Sequence, residues 1–275
     1  MQWLKPVPMI VVFLAIAGWS WPSNTRAAEG PDYVVLAATG IAGVAAGAEL
    51  EPGQEVQVAK GASVIVLARS GAVLRLTGPC LCRIPGGGLA PAAEAEPKPQ
   101  ARTRRFTVKS DIWTVALPRL REMTDPNLGG NRGAQGEVPD QPDLWVVAVD
   151  SSGNRCVRRG DIFLWRRQAE IAAKVDLRSR AARETGLTWP AGQKRMRLPN
   201  HVVVDGDPLV LQINDQPRRL VVHILPETID ESEWGEVLIW MAARDCRRQA
   251  QFLVDGLNNG TLFPNHDDRP GLSEL

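Results

Sequence analysis

Short apolar runs separated by turn residues recur along most of the chain, and this pattern constrains the fold more than any other feature of the sequence. Over residues 33–85, runs of Val, Leu and Ile are separated by turns such as Pro52-Gly53 and Ser70-Gly71. Short β-branched runs at this spacing are typical of antiparallel strands joined by tight turns. The pattern therefore predicts a β-meander in this part of the chain.

Two of these runs differ in their hydrophobic pattern. Apolar and polar residues alternate in Glu55–Val58, whereas Val64–Leu67 is apolar throughout. Alternation predicts a strand with one face in water, because successive side chains of a strand point to opposite faces. A continuous apolar run predicts a strand that is covered on both faces. We therefore expect Val64–Leu67 to be a central strand.

Glycine and aliphatic residues between positions 47 and 76 follow a further regular spacing. It is carried by Leu50, Gly53, Val56, Gly61, Val64, Val66, Gly71 and Leu76. The spacing resembles that of the FecR-like periplasmic domain, in which a G-x-x-L-x-x-G-x-x-V step leads into two strands and a Gly turn. The resemblance covers residues 33–85. It implies a β-domain of the kind found in envelope signalling proteins and other exported proteins, without catalytic residues. Signalling members of that family continue through a membrane helix into a cytoplasmic tail, which the short N-terminal apolar segment here does not favour.

The N-terminus has the layout of a secretory signal peptide. Lys5 precedes the apolar run Met9–Trp19, and small residues surround Ala27. This order of a basic, an apolar and a small-residue segment predicts export. We predict that residues 1–27 are removed and that the mature protein is periplasmic or secreted. An uncleaved anchor is the alternative, and it would be the sole membrane contact.

The balance of charge bears on the class of partner. The chain has 32 basic and 31 acidic side chains. Proteins that bind nucleic acids usually carry a basic excess on one face, so we expect no nucleic-acid partner. The hydrophobic content of 44% is that of a globular protein, which argues against wholesale disorder.

Four cysteines lie beyond the predicted signal peptide: Cys80, Cys82, Cys156 and Cys246. An even number in an exported chain favours disulfides. We favour a pairing of Cys156 with Cys246, because both lie in the C-terminal half. Cys80 and Cys82 form a C-x-C pair, for which a structural bridge, a thiol-redox pair and two metal-binding thiolates are the alternatives. No nearby His or second Cys pair completes a zinc site, so we predict no metal.

Two stretches rich in Gly, Pro and charge predict linkers. Residues 86–105 end in a basic cluster formed by Arg102, Arg104 and Arg105. This cluster is either a solvated linker end or a docking patch for an acidic partner. Residues 124–143 form the second stretch, and we place the domain boundary there.

The C-terminal half contains seven or eight short apolar runs before its pattern becomes helical. Leu144–Asp150 is predicted as a strand, with Arg155–Arg158 returning antiparallel to it. Residues 170–178 alternate with a period of two, which predicts a strand despite their good helix formers. Strands and turns at this spacing predict an immunoglobulin-like β-sandwich. The Trp-Pro-Ala-Gly step at residues 189–192 resembles such modules in exported bacterial proteins.

Helical periodicity appears in three places. Ser110–Met123 forms an amphipathic stretch with a capping Ser-Asp pair, and the chain ends in Ile229–Met241 and Cys246–Leu257. Gly260 follows the last stretch as a stop signal. A bridge from Cys156 to Cys246 would link this helical hairpin to the sandwich.

The predicted fold class is mainly β, with a FecR-like β-domain and an immunoglobulin-like sandwich that carries a C-terminal two-helix hairpin. The predicted organisation is a signal peptide at 1–27, a FecR-like β-domain with linker and short helix at 28–123, a linker at 124–143, a sandwich with helical hairpin at 144–262, and a flexible tail at 263–275.

No familiar catalytic motif is present in the sequence. There is no H-x-x-x-H spacing, nucleophile elbow or P-loop, so we name no catalytic residue and no cofactor. Trp189 is the candidate for stacking on a glycan, with core packing as its alternative. We predict a non-enzymatic envelope interaction protein with a protein partner, within a periplasmic signalling or assembly system. A glycan-binding or glycan-processing protein and a thiol-redox protein are the alternatives.

Overall fold

The computed structural model describes residues 31–86, 110–124 and 143–260. The structure is mainly β, as predicted from the sequence. The strands are β1 (Tyr33–Thr39), β2 (Glu49–Leu50), β3 (Glu55–Val58), β4 (Ser63–Ala68), β5 (Val73–Thr77), β6 (Cys80–Arg83), β7 (Val147–Ala148), β8 (Gly153–Val157), β9 (Ile162–Trp165), β10 (Ala173–Arg178), β11 (Arg183–Trp189), β12 (Arg195–Leu198), β13 (Pro208–Ile213) and β14 (Gln216–Ile224). The helices are α1 (Ser110–Thr124), α2 (Trp234–Ala243) and α3 (Arg247–Asn259).

The first sheet has the antiparallel order β2-β1-β4-β5, and β4 lies at its centre, as the continuous apolar run predicted. Val64 and Val66 point into one hydrophobic cluster, whereas Ile65 and Leu67 point into another on the opposite face. Both faces are therefore covered. This explains why the strand shows no alternation of polar and apolar residues.

The predicted meander is wrong at β3, which pairs with β6 in a separate two-stranded sheet. The alternation of β3 explains this placement. Val56 and Val58 are buried against the first sheet, while Glu55 and Gln57 face solvent. The ribbon of β3 and β6 thus covers one face of the first sheet and does not extend its edge.

A layer of three helices covers the other face of the first sheet. One continuous core joins β1 and β4 to α1, α2 and α3 through Val34, Leu36, Ile65, Leu67, Trp113, Leu120, Leu238 and Leu253. Two of these helices come from the end of the chain. The C-terminal hairpin therefore shares its core with the first sheet. The predicted domain boundary falls mainly on residues 125–142, which lie outside the described part, and it stays a prediction.

The hairpin helices lie close to their predicted positions, and the largest difference is at the start of α2. Helix α2 begins at Trp234 and not at Ile229, because Asp230 forms a turn in which its carboxylate accepts hydrogen bonds from the backbone and hydroxyl of Ser232. Helix α3 ends before Gly260, whose φ of 69° is the left-handed conformation expected of a C-terminal stop.

The second unit consists of two sheets that enclose their own core. Their orders are β11-β10-β13-β14-β8 and β12-β9-β7. Val175, Leu211 and Leu220 of the larger sheet meet Leu164 and Leu198 of the smaller one. Strand β10 alternates buried and exposed residues, so its prediction as a strand is confirmed.

The predicted antiparallel return of β8 beside the strand at 144–150 is wrong. Strand β8 pairs in parallel with β14, and β7 pairs in parallel with β9. Arg155 of β8 supplies a reason. Its buried guanidinium donates to the carbonyl oxygens of Ala148 in β7, Ser151 in the turn before β8 and Asn154 in β8 itself, and so occupies backbone acceptors around the link between β7 and β8.

The two units are joined by a disulfide between Cys156 of β8 and Cys246, which directly precedes α3. Gln249 reinforces this junction from within α3. Its side-chain oxygen accepts a hydrogen bond from the backbone of Cys156 at 2.7 Å, and its nitrogen donates to the carbonyl of Leu144 at 2.7 Å. Within the described residues, no helix has both the length and the hydrophobicity needed to cross a bilayer.

Candidate functional site

An open cleft of about 490 Å³ lies at one end of the two-sheet unit. Three segments meet there: the loop between β9 and β10, the turn between β13 and β14, and the residues that follow β7. The side chains around it include Arg166, Arg167, Gln168, Ile171, Asn214, Gln216, Arg218 and Asp150. We call this site the arginine cleft.

Arg166 fixes the loop between β9 and β10. Its guanidinium lies 4.8 Å from the ring centre of Trp189 and donates to the carbonyl oxygens of Pro190 at 2.7 Å and Gln193 at 3.2 Å. The backbone nitrogen of Gly192 also donates to this loop. Burial lowers the pKa of Arg166, although nearby Glu170 acts in the opposite direction. The loop is thus held by contacts made before any partner arrives.

The opposite wall is the tight turn between β13 and β14. Asn214 and Asp215 have φ values of 46° and 66°, as a two-residue hairpin turn of the primed type requires. The side-chain oxygen of Asn214 accepts a hydrogen bond from the backbone of Lys174 at 2.9 Å, which fastens the turn to β10. Arg218 follows on β14 and donates to the carbonyl of Pro217 and the amide oxygen of Gln216. Both of these partners are uncharged.

The carboxylate at the third wall is already neutralised. Arg248 of α3 donates to both oxygens of Asp150, at 2.8 and 3.0 Å. Burial raises the pKa of Asp150, but the hydrogen bond and charge of Arg248 outweigh it and hold the pKa below its usual value. Buried Arg155 lies close by, and burial lowers its pKa to about 10. Asp150 is therefore paired with Arg248 and is not a partner of Arg218.

An exposed aliphatic side chain stands at the rim of this basic cleft. Ile171 is 70% exposed, the most exposed large hydrophobic residue of the described part. Arginine and apolar side chains together are the composition that protein interfaces favour, and guanidinium groups recognise carboxylates in a two-pronged geometry. The arrangement suits an acidic protein surface that also offers an apolar contact.

Of the residues predicted for binding, only Trp189 belongs to the described part, and it does not line the cleft. Trp189 is fully buried, and Arg166 covers its ring, so it has no open face on which a sugar could stack. The other tryptophans beyond the predicted signal segment are also buried or partly buried. Arg102, Arg104 and Arg105 lie outside the described residues. The arginine cleft was missed because its arginines look like scattered surface pairs until β9 and β14 bring their ends together.

Both cysteine pairs lie at disulfide distance. The pairing of Cys156 with Cys246 is confirmed, with a Cα–Cα distance of 5.9 Å. Cys80 and Cys82 form the second bridge, with a Cα–Cα distance of 5.3 Å. This bridge excludes two free thiolates in the structure as it stands.

The described residues contain no cluster of three or more His, Cys, Asp or Glu that could hold a metal ion. His201 contacts the carboxylate of Glu184 at 2.8 Å on the surface. His223 is buried, and its Nδ1 has no hydrogen-bond partner. Burial and the charge of Arg244 lower the pKa of His223, although Asp205 acts in the opposite direction. Its imidazole therefore favours the neutral form.

No family model, curated protein or solved structure matches this chain. The arginine cleft must therefore be interpreted from its own chemistry. It can bind a carboxylate group through Arg218, and it can bury an apolar side chain against Ile171.

Proposed function

We propose that this chain is an exported, non-enzymatic envelope protein that binds an acidic protein partner in the arginine cleft. The observation that carries the proposal is the pairing of exposed Ile171 with arginines on a rigid loop frame. Contacts that are set before binding reduce the entropy lost on association. Residues 1–27 carry the export part of the proposal, and they lie outside the described residues.

The wider assignment belongs to the same proposal. We propose that residues 33–85 form a FecR-like domain and that the two-sheet unit is an immunoglobulin-like module. The Gly-turn spacing of the first and the facing sheets of the second support this assignment. Such modules commonly serve adhesion and signalling, so the protein would act within a periplasmic signalling or assembly system. This step of the proposal is an analogy of fold.

The cleft can be tested by placing a photo-crosslinking residue at Ile171 in a C-terminally tagged chain in its native envelope. The matched control carries the same residue at Val204, which is 41% exposed and lies beyond the opposite end of β13. We expect one reproducible protein adduct from position 171 and none from position 204. Equal adducts from both positions, or none from either, would contradict docking in the cleft.

A charge reversal tests the acidic nature of the partner. Arg218→Glu should reduce the adduct at position 171 about tenfold or more, because the loss of a charge-assisted contact costs about 2 kcal/mol. Arg183→Glu is the control, since Arg183 is exposed on edge strand β11 of the same sheet, with β10 and β13 between it and β14. Raised salt should weaken capture by the parent chain. If neither Arg218→Glu nor raised salt changed the yield of the adduct at position 171, an acidic partner would be ruled out.

Export has its own test. Mass spectrometry of the protein purified from its native envelope fraction should find an N-terminus at Ala28. A chain that still begins at Met1 and stays in the cytoplasmic fraction would contradict the export proposal, whatever the cleft binds.

A further inference from the structure

The two disulfides lie in very different surroundings. Cys156 and Cys246 are fully buried at the junction of the two units. Cys80 and Cys82 lie on β6 at the outer side of the first sheet, and both residues are partly exposed. Their side chains pack against the core beneath, whereas Leu81 between them points to the opposite, solvent-facing side of the strand. The second bridge is partly exposed and the first is fully buried, so an incoming thiol reaches the second more easily. Access is one condition for thiol–disulfide exchange.

The two bridges also differ in what they do for folding. The junction bridge spans a sequence separation of 90, whereas Cys80 and Cys82 are separated by 2. A disulfide restricts the unfolded chain more when it closes a longer loop. The short bridge therefore does little for stability through chain entropy.

The strand pairing around the short bridge would keep its cysteines together after reduction. Val58 pairs with Cys80 and Val56 pairs with Cys82 in the ladder of β3 and β6. Both valines are buried in the core beneath. Residues i and i+2 of a strand point to the same face, so the two thiols stay adjacent when the sulfur–sulfur bond opens. The pair can open and close again without rearrangement of the sheet.

We propose that Cys80 and Cys82 form a thiol–disulfide exchange site for a cysteine pair of a partner protein. A partner thiolate attacks one sulfur, forms a mixed disulfide, and releases the other cysteine of this chain as a thiolate. The second thiol of the partner, as its thiolate, then attacks the mixed disulfide. The partner is released with a new disulfide. Cys80 and Cys82 remain as two thiols, having accepted the two electrons. The same steps in reverse transfer a disulfide to a reduced partner.

The first test titrates the folded full chain with dithiothreitol, followed by alkylation and peptide mass spectrometry. Cys80 and Cys82 should become alkylated at a reductant concentration about tenfold or more below that needed for Cys156 and Cys246. The junction bridge serves as the control within the same molecule. Opening of both bridges at the same concentration, or of the junction bridge first, would overturn the proposal.

The second test measures exchange with a cysteine-pair substrate. A reduced synthetic C-x-x-C peptide is mixed with the oxidised chain, and with a chain that carries Cys80→Ala and Cys82→Ala. We expect peptide oxidation by the parent chain and none by the variant. In the single variant Cys82→Ser, the remaining Cys80 should trap the oxidised peptide as a mixed disulfide. If dithiothreitol opens the bridge but the peptide is not oxidised, a partner-exchange role is excluded.

Discussion

The two β units bury their strands in different ways. In the first unit, one sheet is covered by the ribbon of β3 and β6 on one face and by three helices on the other. In the second unit, two sheets cover each other, and the outer face of the larger sheet meets solvent along β10 and β13. The sequence records the difference directly. Val64–Leu67 is apolar throughout, whereas Ala173–Arg178 alternates.

The difference also decides where each unit is open. The helix layer of the first unit is completed by the end of the chain, so that unit depends on residues far away in the sequence. The second unit completes its core from the residues between β7 and β14. Its loops at one end remain available, and the arginine cleft is formed by them. The comparison predicts that the sheet and helices of the first unit depend on one another for stability. It predicts that the second unit binds the partner through the arginine cleft.

The largest expected effect on stability comes from a pair of substitutions that each create a cavity, one in each core. Leu120→Ala in α1 and Leu211→Ala in β13 each remove a fully buried side chain and should cost about 2–5 kcal/mol in the free energy of unfolding. Hydrogen exchange should then separate the units. Leu120→Ala should raise exchange in β1, β4, α2 and α3, and Leu211→Ala in β9, β10 and β13.

Val115→Ala is the control on α1, because Val115 is 50% exposed, and it should change stability by no more than about 0.5 kcal/mol. If Leu120→Ala left exchange in α2 and α3 unchanged, the shared core of the first unit would be disproved.

The second prediction compares the two disulfides. Replacement of Cys156 and Cys246 by Ala should cost about 2–5 kcal/mol, and the same replacement of Cys80 and Cys82 should cost about 3 kcal/mol less than that of the junction pair. Loop length is the reason for the difference. Urea denaturation of both double variants measures it. Equal losses would show that chain entropy does not separate the two bridges.

The third prediction concerns the junction amide. Gln249→Met keeps the size of the side chain but leaves the backbone of Cys156 and the carbonyl of Leu144 without their partner, at a cost of about 1–3 kcal/mol. Gln251→Met on the same helix is the control, because Gln251 bonds only locally to Asp255. Thermal denaturation should show a clear loss for the first variant and little change for the second.

The smallest effect is a pH dependence in the first unit. Burial, followed by the charges of Glu233 and Asp230, raises the pKa of Glu236 at the start of α2. The unfolded chain releases this proton at lower pH than the folded chain does. Stability should therefore fall as the pH rises from the ordinary carboxyl range through the raised folded value.

Glu236→Gln removes this dependence, so the variant should gain stability over the parent at about pH 8 and little at about pH 4. Glu227→Gln is the surface control. Thermal denaturation at both pH values is the measurement, and a gain that is larger at the lower pH would contradict the assigned direction.

Much of the local structure follows from the sequence pattern. Strand β3 has the bounds that its alternation predicts, and β10 is a strand despite its helix-forming residues. Gly260 ends α3, and the pairing of Cys156 with Cys246 follows from their number and placement. Each of these depends on backbone preference or on periodicity within a few residues.

The partners of these elements could not be predicted in the same way. Strand β8 was expected beside the strand that precedes it, yet it lies parallel to β14, more than fifty residues later. The predicted meander failed at β3 for a related reason. An alternating pattern indicates which face of a strand is buried, but it does not identify the surface that covers that face.

The sequence alone determined the types of element, the turns between them and the cysteine pairing at the junction, because alternation, turn residues and helix stops act over short distances. Only the tertiary structure decided that the C-terminal helices cover the first sheet, that Trp189 is buried, and that Arg166, Arg167 and Arg218 meet around one cleft. These facts depend on which buried faces meet across long stretches of chain. No local pattern specifies which element packs on a given buried face, because several elements of the chain offer a similar shape and apolar area.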